Sequence, residues 1–229
     1  MAKMNRFFCA LCLLCFSFLS YGQNAVLYPT AIPDSEQEQR ALKQQLLSTP
    51  AAQRTQQQWR QLAIVSISLI DNADAPEVKE ATAVLHQALT MYPQDAELMA
   101  VQGSLFCIQA GSRKIDGMQA MTLANKGFRQ LDRAVIMAPD WLGPRLQRAI
   151  TAGRAPVFLG KRPLAREDFT YLIAAVPATP ETQVLRAMLL YQFGELSQQD
   201  KALASSLWQQ AASLEGGVWS ERARGRLSP

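Results

Sequence analysis

Residues 127–139, GFRQLDRAVIMAP, set a small, a large and a small residue at Gly127, Leu131 and Ala134, with Pro139 five positions beyond. Steps of four and three keep the three positions on one face of an α-helix. The proline ends the helix, because it pushes the residue before it out of the helical region. The apolar face begins upstream with Met121 and Ala124 and runs on through Phe128, Val135 and Ala138, which makes a stripe broad enough to pack.

The spacing recurs along the chain. Ala81, Leu85, Ala88 and Pro93 repeat it, as do Ala165, Phe169, Leu172 and Pro177; Ala204, Trp208, Ala211 and Gly216 repeat it with glycine in the last place. Amphipathicity alone does not impose one order of small and large residues on four separate helices. Boundary signals surround each stretch. Asp74 and Glu77 form a capping-box pair, Pro163 suits a first helical turn, Ser197 and Asp200 precede the fourth helix, and Gly216-Gly217 ends it. With almost no β-branched alternation after Ser35, these patterns predict an all-α chain.

The series resembles the second-helix half of a tetratricopeptide repeat, and the first-helix positions counted from each proline hold Gly103 and Phe106, then Ala149, then Ala187 and Leu190. The resemblance covers about residues 55 to 217. Its copies recur at 46, 38 and 39 residues, where the family uses roughly 34. The extra length falls in Ala110 to Ala120, with Gly111 and Gly117, and reads as a lengthened turn between helices. The resemblance implies stacked antiparallel helical hairpins, an α-solenoid of about four degenerate repeats, with a concave surface that binds another protein. A generic helical bundle is the competing architecture.

The 229 residues suit one domain, and 48% hydrophobic content with a mean hydropathy of -0.06 excludes both a disordered chain and a multi-span membrane protein. Lys3 and Arg6 precede thirteen uncharged residues, Phe7 to Leu19, and Ser20-Tyr21-Gly22 offers small residues to a signal peptidase. Such an apolar run covers roughly 20 Å, short of the roughly 30 Å hydrocarbon core of a bilayer. An uncleaved anchor and a lipoprotein signal are the alternatives; the second lacks a Cys at the end of the run. The expected organisation is a signal peptide at 1–22, a lead with room for a short helix at 23–50, and the repeat domain at 51–229. Cleavage near Gly22 would leave a periplasmic or secreted protein with no stable membrane anchor, a net charge of +2 and Cys107 as its one thiol. An internal disulfide is then excluded, so packing alone must hold the fold.

Few site chemistries survive this composition. His86, Cys107 and dispersed acids give no metal-ligand cluster, and no cofactor is called for. Cys107 and His86 each fall within a helical stretch, where a core thiol and a surface imidazole are expected instead of a nucleophilic pair. Gly153 to Lys161 lacks the spacing of a phosphate loop, and Arg162 stands where that loop needs a hydroxyl.

The remaining signal is charge. Residues 141–166 carry Arg145, Arg148, Arg154, Lys161, Arg162 and Arg166 with no acid, while the rest of the mature chain has 15 basic against 19 acidic residues. On a helix starting near Trp141, Trp141, Arg145, Arg148 and Ala152 share one face beside the apolar Leu142, Leu146, Ala149 and Ile150. Two roles compete for the arginines. Arg145 or Arg148 could pair with Asp132 or Asp168 on a neighbouring helix. Alternatively Trp141, Arg145, Arg148, Arg154, Lys161 and Arg162 could line a basic groove for an acidic peptide or a free C-terminal carboxylate, which a planar guanidinium matches. Nucleic acid is a poor fit for an exported protein of this balance. The expected function is therefore an exported scaffold or adaptor, and the alternative is a small envelope enzyme or ligand-binding protein using acids such as Asp116, Glu167 or Asp168.

Overall fold

The computed structural model of the protein describes residues 26–228; the expected export segment and its cleavage site lie outside the described residues. The described residues form ten α-helices: α1 (Glu36–Ser48), α2 (Gln56–Ser68), α3 (Glu77–Met91), α4 (Ala96–Gln109), α5 (Gly117–Met137), α6 (Leu142–Arg154), α7 (Arg162–Ala175), α8 (Gln183–Leu196), α9 (Lys201–Ala212) and α10 (Val218–Leu227). No strand occurs among them, and the extended lead makes only an isolated bridge between Leu27 and Trp141. None of these helices is long and apolar enough to cross a membrane.

The prolines work as the spacing requires, each falling just beyond the cap of α3, α5 or α7. Two start signals behave differently. The Asp74–Glu77 capping box does not form, because Asp74 accepts from the Ser112 hydroxyl at 2.6 Å and from the Arg113 amide, tying the α4–α5 linker to the start of α3. Asp200 alone caps α9 through the Leu203 amide, while Ser197 closes α8. Beyond Gly216, Gly217 takes φ +56, a backbone conformation that suits glycine, and turns the chain into α10, a helix the sequence pattern does not announce.

Successive helices pack on one another, and α2 also meets α4, α4 meets α6, α6 meets α8, and α8 meets α10. The small, large, small series forms the seams: every member is buried except the half-buried Trp208. Their size sets how close helices come. A Cβ on Gly127 would lie 2.6 Å from the Gly103 carbonyl oxygen and 2.5 Å from Cys107 Sγ, so α4 and α5 meet backbone to backbone there. Trp59, Leu85 and Leu98 centre one core cluster under α2, α3 and α4; Phe128, Leu131, Phe169 and Leu172 centre a second between α4 and α8.

Candidate functional site

The basic segment spans α6, the 3-10 turn Val157–Leu159 and the start of α7, and helix geometry separates its members. At about 100° per residue, Arg154 points roughly 120° away from Arg148 and 180° away from Arg145. One side of α6 therefore faces α7, and the other carries Gln147, Thr151 and Arg154 into a cavity.

On the α7 side both arginines are committed. Arg148 grips the fully buried Asp168 with Nε and Nη2, each at 2.8 Å, and sends Nη1 to Asp132 at 2.9 Å. Arg145 donates to Asp168 at 2.9 Å and lies over the Tyr171 ring. Burial pulls the Arg148 pKa down, and the hydrogen bonds and charges of Asp168 and Asp132 outweigh it, so the net shift is upward. Two cations and two anions make this cluster neutral, which cancels much of the field that the sequence projects from 141–166.

Trp141 has a structural task as well. Its indole N–H donates to the Tyr28 carbonyl at 3.1 Å, Arg60 lies over its ring, and Leu27 bonds through its backbone to Asp140 and Leu142. The lead is thus laid along the helices. Farther on, Thr30 donates its amide and hydroxyl to the buried Glu97, whose carboxyl sits against Gly143, a position where a Cβ would collide with it. Burial raises the Glu97 pKa despite those two bonds from Thr30. Asp34 then accepts from the Trp219 indole at 2.7 Å, joining the lead to α10. No sequence signal marks Thr30 or Glu97 for this role.

The cavity has a volume of about 1150 Å³, and the lead, α2, α4, α5, α6, α8 and α10 all contribute to its walls. Apolar side chains such as Ile67, Ile108, Phe128, Ile150 and Met188 supply much of the lining. Arg154 projects into it with no hydrogen-bond or ion-pair partner, and the protein around it lowers its pKa by desolvation although the side chain still reaches water.

The turn after α6 is different again. Val157 and Phe158 stand 66% and 78% exposed, and two residues beyond the turn Lys161 lies over the Phe128 ring. Arg162 opens α7 with its Nε buried and unbonded. The six predicted groove residues are therefore divided among a lead anchor, an ion cluster, a cavity and a turn, and do not form one stripe.

The other candidate chemistries find little support. Burial pushes the Cys107 thiol up to about 12, so it stays protonated and inert, and His86 is exposed on α3. Asp116 caps α5 through the Gln119 amide, and both oxygens of Asp168 are taken by guanidinium groups. Among the described residues no group of three or more His, Cys, Asp or Glu is placed to hold a metal ion. No protein-family model, curated protein or solved structure matches the chain.

Proposed function

We propose that the chain is an exported, tetratricopeptide-like scaffold or adaptor of the cell envelope, which binds an acidic protein or peptide at the basic turn between α6 and α7. The helix contacts support the repeat reading, because a first helix that touches both its hairpin partner and the first helix of the next hairpin is how stacked hairpins bury their shared face. The observation that carries the binding site is the exposed pair Val157 and Phe158, with Lys161 and Arg162 close behind. Two large apolar side chains on a turn gain by being covered, and adjacent cations select a negatively charged cover. Export rests on Lys3, Arg6 and the apolar run that follows.

Affinity capture from envelope extract with the mature protein tests this reading. The unmodified protein retains an acidic partner that salt releases, while Phe158→Ser and the pair Lys161→Glu with Arg162→Glu lose it and keep their helical circular dichroism. Undiminished capture by both variants at low salt removes the turn as the site. Mass spectrometry of the fractionated protein is expected to find an N-terminus within a few residues of Gln23; intact Met1 in the cytoplasm ends the export reading.

A further inference from the structure

We propose that the cavity between the lead and the helices binds a single-chain anionic amphiphile, with its carboxylate on the Arg154 guanidinium and its hydrocarbon tail among Met121, Phe128, Ile150 and Met188. This site adjoins the protein-docking turn, whose Phe158 also lines the cavity, while Lys161 and Arg162 lie outside its lining. Arg154 is the first reason. Arg145 and Arg148 on the same helix are paired with carboxylates, whereas Arg154 lines a largely apolar cavity with no acid bonded to it. The guanidinium still reaches water at the cavity and has no protein anion, so it is open to one carried by a ligand. A bound carboxylate supplies the missing partner, and the guanidinium fork matches both of its oxygens.

Volume and wall chemistry define the rest of the ligand. Small-molecule sites run to about 1,000 Å³ and are mostly apolar with a few polar groups that fix orientation. At about 1150 Å³ this cavity takes a long tail but no folded domain. A peptide would bring an amide to every residue, and each buried amide needs a partner. On α4 and α6 the Ser104 and Thr151 hydroxyls bond each other at 2.7 Å and the Gln147 side-chain oxygen accepts from Ser104, so these groups are already engaged with one another. A hydrocarbon tail makes no such demand.

The charged lining also sets one orientation. Asp34 and Asp71 place negative charge on the side of the lead and the N-terminal helices, where Glu36 is paired with Arg40 and the buried Glu97 is held by Thr30, and this charge repels a carboxylate there. Glu181 and Arg222 complete the charged lining, and Arg222 lies over the Trp219 ring. The anionic head is accordingly directed to the Arg154 end, with the tail running along the apolar wall.

Titration calorimetry of the mature protein with dodecanoate, dodecanol and dodecyltrimethylammonium tests the proposal. One dodecanoate is expected to bind per chain, dodecanol more weakly, and the cation weakest of the three. Arg154→Gln weakens dodecanoate by about 10- to 100-fold, the range for losing a charge-assisted hydrogen bond, and leaves dodecanol within about twofold. Arg154→Lys retains most of the affinity, and Ile150→Trp, which fills the tail space, removes both ligands. Absence of saturable binding, equal dodecanoate affinity in Arg154→Gln, or a preference for the cation overturns the proposal, and the head-group series on the unmodified protein decides without any variant. Tighter binding of acetyl-trileucine acid than of dodecanoate assigns the cavity to peptides and overturns it too. Capture of a protein partner is read separately through Lys161→Glu with Arg162→Glu, neither of which lines the cavity, so either proposal can fail alone.

Discussion

The two sides of α6 carry the same residue type into opposite surroundings. On the side facing α7, Arg148 and Arg145 surround a fully buried carboxylate, and every charge has a counter-charge within hydrogen-bond distance. On the cavity side, Arg154 shares its wall with Gln147, Thr151 and apolar groups, and no acid is bonded to it. The difference teaches that a basic run in sequence is not a basic surface. Rotation about the helix axis decides which charges are spent on folding and which remain available to a ligand.

The largest expected effect breaks the paired side. Asp168→Ala leaves two part-buried guanidinium groups without their shared acceptor, and removing one partner from a buried ion pair costs roughly 3–5 kcal/mol. Arg148→Ala is milder, because Arg145 still holds Asp168 and the 44%-exposed Asp132 side chain returns to water. Urea unfolding midpoints check both the size and the order. If Asp168→Ala unfolds at the unmodified midpoint, the two sides of α6 do not differ as described.

A second test concerns the frame that holds both sides in place. α6 packs on α4 and α5, which cross at Gly103 and Gly127 with no room for an added methyl group, and Ala134 is fully buried farther along α5. Overpacking a tight contact costs about 1–3 kcal/mol, and that loss is expected for Gly127→Ala and for Ala134→Leu in the same unfolding assay. Here the Gly127 methyl meets a backbone carbonyl, which cannot swing aside as a side chain can. Unchanged midpoints in both variants would show that the small-residue register does not set the packing.

That register was legible in the sequence because it is local: spacings of three and four say which residues share a face, and small residues on that face say where helices approach. The partners of Arg145 and Arg148 were legible for a similar reason, since neighbouring helices place Asp132 and Asp168 within reach. The capping box that the sequence suggests at Asp74 does not form, because an i, i+3 pattern cannot show a competing partner 38 residues away. The same limit hides the lead, whose bond from Thr30 to Glu97 spans 67 residues and whose bond from Asp34 to Trp219 spans 185. Proximity along the chain groups Arg154 with Lys161 and Arg162, although it ends a helix that aims it into the cavity while they flank the start of the next.

The smallest expected effect sharpens the comparison by its sign. A guanidinium whose pKa is raised by carboxylates is held more tightly in the folded protein than in the unfolded chain, and its loss destabilises. Arg154 shifts the other way, because its surroundings disfavour the charged form and no anion compensates. At neutral pH the group is charged in both states, so folding bears a small desolvation cost that a neutral side chain avoids. Arg154→Gln is therefore expected to leave stability within about 0.5 kcal/mol, as for most exposed positions, with any change in the stabilising direction. Adding dodecanoate reverses that order if the cavity site is real, because a ligand that binds the folded state raises its midpoint in proportion to affinity, and only the unmodified protein retains the full affinity. A loss of 3 kcal/mol in Arg154→Gln without ligand would place Arg154 in the same structural role as Arg148, and the contrast between the two sides of α6 would be gone.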